Sequence, residues 1–291
     1  MVRKRTDLAA IFARKAKGEK IPMLTAYDAP TAQALEEAGV DVLLVGDSAA
    51  NVVLGYHDTL PVSMEEMLVL TAAVVRGAPT AFVIADMPFM SFNVSIEEAI
   101  RNGGRFIKQA GAQAVKIEGG GPVAETLQAM VQAGIPTVGH LGLTPQTANM
   151  LGGYRVQGKS ADAAERILRD AELLEAAGAC MLVLECVPDR LAELITRQLS
   201  IPTIGIGAGP HCDGQVLVVH DMLGIRSGFT PKFVKAYETL GERMKNAAQR
   251  FRAEVLEGSF PGPEHGFALE EREHKKLLAR LDHDPEKGET S

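Results

Sequence analysis

Four apolar runs of the sequence each end on an acidic residue that could bind a metal ion or accept a proton. With their terminal acids, the runs are Val42–Asp47, Phe82–Asp86, Ala114–Glu118 and Met181–Glu185. A short apolar run rich in β-branched residues predicts a buried parallel strand. Active sites of α/β barrels are built at the carboxyl ends of such strands. The repeated pattern therefore predicts a ring of carboxylates around one pocket.

Three of these acids are expected to lie side by side. Asp47, Asp86 and Glu118 end the predicted second, third and fourth strands. Neighbouring carboxylates repel one another unless a cation or a proton neutralises them, and ligands that are all oxygen favour Mg²⁺ or Mn²⁺ over Zn²⁺. Alternatively, each acid caps the following helix or pairs with a Lys or Arg. Three such acids on adjacent strands favour the metal site.

Two basic side chains accompany the acids. Lys116 precedes Glu118 by two residues, so both side chains point to the same side of the strand. An interior Lys is either a counter-charge for an anionic substrate, an amine nucleophile, or the partner of a neighbouring acid. His140 directly follows the predicted fifth strand, between two glycines. It either donates to a substrate oxygen or is a loop histidine whose hydrogen bonds go to the backbone.

Glu185 ends the predicted sixth strand, across the barrel mouth from strands two to four. This position suits a base better than a ligand of the same metal. Strand alternation turns the neighbouring Cys186 away from Glu185, which predicts a packed thiol rather than a nucleophile. The glycine-rich turn at 205–209 could hold a phosphate, although a lone turn of this kind is a weak signal.

The elements that must position these side chains alternate between strands and helices. Such alternation implies parallel pairing through right-handed crossovers, and eight strands favour a (β/α)8 TIM barrel. An open Rossmann sheet would carry a phosphate fingerprint after its first strand, and Thr25–Asp28 is not one. The predicted strands are 21–27, 41–45, 80–85, 114–118, 137–139, 180–185, 202–206 and 215–219.

The two ends of the chain are expected to differ from the barrel. An amphipathic helix, capped by Thr6 and stopped by Gly18, precedes the first strand and would cover the bottom of the barrel. A long helix is predicted from Thr230 to about 257, as a C-terminal helical extension. We expect residues 1–260 to form one catalytic barrel domain, and 261–291 to form a charged, partly disordered tail with a helix near 269–280.

Net charge, apolar segments and cysteine spacing indicate which kinds of partner and which cellular compartment to expect. The net charge is −7, so nucleic acid and anionic membranes are not expected partners. The basic N-terminus lacks the apolar core of a signal peptide, and no apolar run approaches the roughly 20 residues of a membrane span. The chain has three cysteines at spacings that fit neither a zinc site nor a disulfide framework. Reduced thiols in the cytoplasm are therefore expected.

Seven stretches in one order closely resemble the ketopantoate hydroxymethyltransferase family, over roughly residues 5–260. They are Val45–Ser48, Ala85–Phe89, Lys116–Gly120, Gly139–Gln146, Leu184–Pro188, Thr203–Gly209 and Asp213–Val218. One departure is visible, because Ala49, Ala50 and Asn51 stand where the family commonly has Leu-Gly-Met. This difference concerns the loop after the second strand, not the proposed metal ligands.

The resemblance implies an activity and a role for each site residue. The family transfers a one-carbon unit from 5,10-methylenetetrahydrofolate to the 2-oxo acid 3-methyl-2-oxobutanoate, giving 2-dehydropantoate for pantothenate synthesis. By this resemblance one Mg²⁺ per subunit would lie among Asp47, Asp86 and Glu118, directly or through water, and Glu185 would accept the proton. The substrate would contact Asp47, Ser48, Asp86, Lys116 and His140. Members assemble as homo-oligomers, often decamers.

Two other functions compete with this one. An Mg²⁺-dependent carbon–carbon lyase or mutase, of the isocitrate lyase and phosphoenolpyruvate mutase group, would also hold a 2-oxo acid at a barrel mouth. The chain lacks a Lys-Lys-Cys-Gly-His lyase motif and has Lys116–Gly120 instead. A non-catalytic metabolite-binding barrel is the second rival, but every proposed catalytic position is filled. Turnover with the oxo acid and the folate separates all three.

Overall fold

Eight parallel strands close into a barrel in the computed structural model, which describes residues 4–225 and 231–282. Each strand pairs with the next along the chain, and the last pairs with the first, so the (β/α)8 prediction is confirmed. The strands are β1 Ile21–Thr25, β2 Val42–Val45, β3 Phe82–Asp86, β4 Ala114–Glu118, β5 Thr137–Gly142, β6 Met181–Glu185, β7 Thr203–Ile206 and β8 Gly214–Leu217.

Helices connect the strands, except that β7 runs into β8 through a helix-free turn. The α-helices are α1 Leu8–Lys17, α2 Ala29–Glu37, α3 Ala49–Val52, α4 Met64–Gly77, α5 Ile96–Arg105, α6 Gly121–Gln132, α7 Ala161–Ala176, α8 Asp189–Gln198, α9 Val219–Met222, α10 Leu240–Glu257 and α11 Glu271–Asp282. A π-helical turn, Phe106–Ala110, continues α5, and 3-10 turns lie at Pro145–Thr147 and Pro263–His265.

The helix α1 covers the amino-terminal end of the barrel. Its Ile11 is fully buried and packs in the same apolar cluster as the inward-facing strand residues. Arg14 pairs with Asp41, just before β2. Lys15 Nζ lies 2.7 Å from an Asp213 carboxylate oxygen, just before β8. The predicted bottom cover is therefore present and is attached to two strand starts.

Several predicted boundaries were wrong for identifiable reasons. The side chain of Asp7, not Thr6, caps α1, because the Thr6 hydroxyl donates to Asp41 instead. The short helix α3 begins in the region predicted as a loop. Residues 231–239 form turns and irregular chain, so the predicted long helix starts only at Leu240. β5 also continues past 139 to Gly142, which places His140 within the strand.

Grouping by contacts divides the chain into two compact units, Met1–Thr239 and Leu240–Ser291. The predicted division after residue 260 assigns α10 to the barrel domain, whereas this grouping assigns α10 to the second unit. The predicted tail helix is present as α11. The end of the chain predicted to be disordered is 282–291. Asp282 is the last residue of α11, and 283–291 lie outside the described residues. No helix within 4–225 or 231–282 is long and apolar enough to cross a bilayer.

Candidate active site

One cavity at the carboxyl end of the barrel collects every side chain that the sequence analysis selected. Its volume is about 160 Å³. Its polar walls include Asp47, Ser48, Asp86, Lys116, Glu118, His140 and Glu185. The strands bring these residues together because each polar side chain stands at or just beyond the carboxyl end of its own strand. The predicted ring of carboxylates around one pocket is thus observed in space.

Strand register determines which of these residues are neighbours. Asp86 of β3 lies opposite Lys116 of β4, and Glu118 of β4 lies opposite His140 of β5. Lys116 Nζ lies 3.3 Å from Asp86 Oδ1 and 3.7 Å from Glu118 Oε1. Lys116 is therefore an ion-pair partner of two acids and also a wall of the cavity. Its roles as a partner of neighbouring acids and as a counter-charge for an anionic substrate therefore do not exclude each other.

The lysine keeps its charge in this buried position. Burial alone lowers the pKa of Lys116, but the carboxylates of Asp86, Glu118 and Asp47 outweigh burial and raise its pKa above the ordinary value. An ammonium group with three acids around it supplies a positive charge at the cavity wall. This charge can stabilise an anionic ligand.

Two of the acids behave as an electrostatically strained pair. Burial raises the pKa of Asp47 to about 8, and the nearby charges of Glu118 and Asp86 act in the same direction. Burial also raises the pKa of Asp86, although Lys116 opposes this shift. The main-chain N–H of Asp47 donates to Asp86 Oδ2 at 3.1 Å, while Asp86 Oδ1 is buried and accepts no hydrogen bond. A divalent cation would relieve this repulsion.

The carboxylate of Glu118 has more polar partners than the carboxylates of Asp47 and Asp86. Its Oε2 accepts the main-chain N–H of Gln146 at 2.9 Å, and its Oε1 lies near Lys116 and His140. Although burial raises the pKa of Glu118, these partners outweigh burial and lower its pKa. Both oxygens of Glu118 thus already have protein partners.

The three acids do not form a preassembled metal cage. Among residues 4–225 and 231–282, no three His, Cys, Asp or Glu side chains surround a common point suited to a metal ion. Mg²⁺ commonly keeps several waters and uses only one or two carboxylates. These carboxylates are therefore donors of the kind that Mg²⁺ uses, and one or two of them would suffice to hold the ion.

His140 lies between Lys116 and Glu185 on the cavity wall. His140 Nδ1 lies 3.0 Å from Lys116 Nζ, and its Nε2 lies 3.2 Å from Glu185 Oε2. This Nε2 is buried and has no hydrogen bond of good geometry, although Glu185 Oε2 lies nearby. Burial and Lys116 lower the pKa of His140, whereas its contacts with Glu118 and Glu185 raise it, with a net upward direction.

Two residues at this site were not selected from the sequence. Tyr27 is buried, and its hydroxyl lies 2.8 Å from Ser48 Oγ, which orients the serine at the cavity wall. Gln146 lies behind the acids and contacts two of them. Tyr27 is the last residue of the first predicted strand and Gln146 is the last residue of the Gly139–Gln146 stretch, so the sequence contained a signal for both. Nothing in residue type alone predicts their contacts.

Other candidates take no part in the cavity chemistry. Cys186 has φ +49°, and its half-buried thiol has a pKa raised to about 11, first by burial and then by Glu185. Such a thiol is a poor nucleophile, in agreement with the sequence analysis. In the glycine-rich turn, Gly207 packs under Phe233 and Gly209 under Asp189, so neighbouring side chains already cover two of its glycines.

Comparison with known proteins decides the family. The sequence model of a family described as ketopantoate hydroxymethyltransferase matches residues 5–263. The chain belongs to the ketopantoate hydroxymethyltransferase family. A relative from Syntrophobacter fumaroxidans, named 3-methyl-2-oxobutanoate hydroxymethyltransferase, is 55% identical and covers 95% of this chain and 98% of its own. A relative of the same name from Syntrophus aciditrophicus is 58% identical over 89% and 95% of the two chains.

Two solved structures with a similar fold are named for other activities. Phosphoenolpyruvate phosphomutase from Streptomyces platensis subsp. rosaceus has a TM-score of 0.60 at 14% identity, covering 97% of this chain and 99% of its own. Phosphonopyruvate hydrolase in complex with oxalate and Mg²⁺ has a TM-score of 0.59 at 13% identity, covering 94% and 96%. At these identities the likeness concerns the barrel fold alone. Membership of the ketopantoate hydroxymethyltransferase family therefore rests on the sequence relatives.

Proposed function

We propose that this member of the ketopantoate hydroxymethyltransferase family transfers a hydroxymethyl unit from 5,10-methylenetetrahydrofolate to 3-methyl-2-oxobutanoate, giving 2-dehydropantoate for pantothenate synthesis. The observation that carries the proposal is the arrangement around Lys116, where one cation, three acids and His140 meet at the cavity wall. Such a site holds a small anionic 2-oxo acid on one side and leaves a carboxylate, Glu185, on the other. The relatives' shared name supports the same substrate.

Asp47 and Asp86 are the residues that would hold Mg²⁺. Asp86 Oδ1 accepts no hydrogen bond, and the pKa values of both acids are raised, which are features that a bound cation would resolve. When bound, the ion would act as a Lewis acid toward the keto oxygen of the substrate. Glu118 is already engaged by Lys116, His140 and Gln146, so we assign it to the outer side of the ion. We assign one ion per subunit to this acidic cavity.

Protein groups orient the oxo acid. The Lys116 ammonium offsets the substrate carboxylate and favours its binding in a buried, weakly polar site. The Ser48 hydroxyl, held by Tyr27, is available to a carboxylate oxygen. His140 Nε2–H makes no hydrogen bond within the protein and can donate to a substrate oxygen. Together these groups turn C3 of the oxo acid away from the two aspartates.

Glu185 is the base in this proposal. It ends β6, across the cavity from Asp47 and Asp86, and its side chain is partly accessible within the cavity. Glu185 takes the proton from C3, and the electron pair left on C3 attacks the methylene carbon of the folate. Lys116 and His140 donate toward the negative charge that develops on the keto oxygen. This attack breaks one of the two C–N bonds of the methylene carbon, and water then replaces the second nitrogen with a hydroxyl group. The proton taken from C3 and a proton of the water end on the two nitrogens, which releases tetrahydrofolate.

The rival lyase or mutase reaction shares the barrel and the oxo acid. It breaks or rearranges a bond of the oxo acid itself and needs no one-carbon donor. The phosphomutase and hydrolase structures share the barrel fold with this chain. At 13–14% identity, this similarity does not indicate which reaction the chain catalyses. The relatives at 55% and 58% identity favour hydroxymethyl transfer.

A turnover assay tests the proposed function. Purified protein with Mg²⁺, 3-methyl-2-oxobutanoate and 5,10-methylenetetrahydrofolate should form 2-dehydropantoate, detected by mass spectrometry. Omission of the folate should abolish the product. Cleavage or rearrangement of an oxo acid without folate would instead support the rival reaction. We also propose that the protein is cytoplasmic, a location that the free thiols Cys180, Cys186 and Cys212 support.

A further inference from the structure

Gln146 links three strand ends behind the cavity. It lies in the turn Pro145–Thr147 after β5 and is only 5% exposed. Its side-chain nitrogen donates to Asp47 Oδ2 at 2.9 Å and to the Met87 carbonyl at 2.9 Å. Its main-chain N–H donates to Glu118 Oε2, also at 2.9 Å. One residue thus connects the ends of β2, β3 and β4.

The orientation of the Gln146 amide is determined by its partners. A carboxylate oxygen and a carbonyl oxygen can only accept, so both need the amide nitrogen and not the amide oxygen. The two N–H bonds of that nitrogen are therefore fully used. The other end of the amide, Oε1, is buried and accepts no hydrogen bond. A buried unpaired oxygen is costly, so packing stability alone does not explain a glutamine here.

We infer that Gln146 is a positioning residue that holds the Asp47 carboxylate in the orientation required for Mg²⁺. The inference rests on the metal site of the proposed function. Gln146 is absent from the cavity wall, so it acts through Asp47 and does not touch substrate. Its bond to Asp47 Oδ2 occupies one carboxylate oxygen and leaves the other as the ligand. Its bond to the Met87 carbonyl ties that orientation to the residue after Asp86.

The side chain and the main chain of Gln146 have separable roles. Glu118 is contacted through the main-chain N–H, which any residue other than proline retains at this position. Asp47 is contacted only through the side chain. Replacement of the side chain therefore loosens Asp47 while it keeps the contact with Glu118. Partners of this kind typically change metal affinity by about 10–100-fold when removed.

The test is a calorimetric Mg²⁺ titration of Gln146→Met, which keeps the length of the side chain and removes the amide. We expect Mg²⁺ affinity about 10–100-fold weaker than in the parent protein. Activity of the variant should rise toward the parent value as Mg²⁺ is increased, because the catalytic groups are intact. A thermal melt without metal shows whether the variant is folded. If Gln146→Met does not fold, the smaller change Gln146→Asn takes its place, and it too should bind Mg²⁺ more weakly.

Gln113→Met is the matched control. Gln113 lies just before β4, at the other end of the barrel, where Oε1 accepts the Val83 N–H at 2.6 Å and Nε2 donates to the Gly111 carbonyl. Loss of this amide should lower the melting temperature and leave Mg²⁺ affinity unchanged. A purely structural role of Gln146 would give the same pattern as Gln113.

Unchanged Mg²⁺ affinity in a folded Gln146 variant, with normal affinity in the parent, overturns the role of Gln146 alone. A parent protein that binds no Mg²⁺ overturns the metal site of the proposed function, and this inference with it. The parent titration therefore distinguishes the two failures.

Discussion

Lys116 Nζ lies 3.0 Å from His140 Nδ1, on the neighbouring strand. Since the acids around Lys116 raise its pKa, the lysine is the donor and Nδ1 must accept. The hydrogen of the neutral imidazole is then on Nε2, and this N–H faces the side of the cavity where Glu185 lies. The tautomer of His140 thus follows from the charge of its neighbour.

This relationship sharpens the prediction for Glu185, which should be the base and not a metal ligand. Glu185→Gln keeps the shape of the side chain but cannot accept a proton. The variant should bind Mg²⁺ and the oxo acid normally and lose about 10²–10⁴-fold in deuterium exchange at C3, measured by NMR in heavy water without folate. Exchange within a few-fold of the parent would assign the base to another group, with His140 or a metal-bound water as the next candidates.

Substitution of Asp47 or Asp86 should weaken metal binding more than folding. Asp47→Asn and Asp86→Asn each remove one charge from a cluster whose repulsion a cation relieves. Calorimetric titration should show a loss of Mg²⁺ affinity, while thermal melts of the metal-free variants stay at or above the parent. Asp41→Asn is the control, because Asp41 pairs with Arg14 at the other end of the barrel and should affect stability alone. Unchanged Mg²⁺ affinity in both cavity variants removes these two residues from the ligand set.

The metal-free protein should lose stability as the pH rises from about 4 to about 8. The folded state raises the pKa of Asp47 from 3.8 to about 8, so over this range it binds a proton that the unfolded chain has released. Stability falls with pH wherever the folded state holds more protons. Asp86 contributes in the same direction. Urea unfolding at several pH values, in the presence of a chelator, measures the slope.

Asp47→Asn provides the control for that slope, because asparagine does not titrate. The variant should lose less stability than the parent between these pH values and should exceed the parent near pH 8. A parent protein that gains stability over this range would show that other groups dominate its titration.

Removal of the Ile11 side chain should destabilise the barrel and leave its Mg²⁺ affinity unchanged. Ile11 is fully buried among the inward-facing strand residues, so Ile11→Ala leaves a cavity and should cost about 2–5 kcal/mol of unfolding free energy. Urea unfolding measures the loss, and Mg²⁺ affinity at low denaturant should be unchanged. Val69→Ala, at a position on α4 that is 67% exposed, should be close to neutral. Equal losses in both variants would mean that α1 does not stabilise the barrel.

The protein should form a large homo-oligomer, and the family resemblance implies a decamer. No residue of α10 is buried, and its apolar side chains Met244, Phe251 and Leu256 are more than half exposed. Burial of such side chains against further subunits would be favourable. Light scattering during gel filtration measures the mass. A value near that of one 31.1 kDa chain would contradict the prediction.

Local patterns were sufficient for the architecture and for most of the site. Short apolar runs with terminal acids identify the strands, and the carboxyl ends of parallel strands must share one face of a barrel. The sequence by itself therefore predicts one pocket surrounded by Asp47, Asp86, Glu118 and Glu185. Lys116 followed from strand alternation, because a residue two positions from Glu118 points the same way. These inferences depend only on backbone periodicity, which the sequence carries directly.

Only the tertiary structure decided which partners these groups have. The contact of Gln146 with Asp47 joins residues 99 positions apart, and Tyr27 meets Ser48 across two strands. The structure also divides the acids into a strained pair and a satisfied Glu118, whereas the sequence treats all three alike. Pairing, burial and charge state depend on distances of a few ångströms between segments far apart in the chain. Residue type and spacing do not contain those distances, because they arise only when the barrel closes.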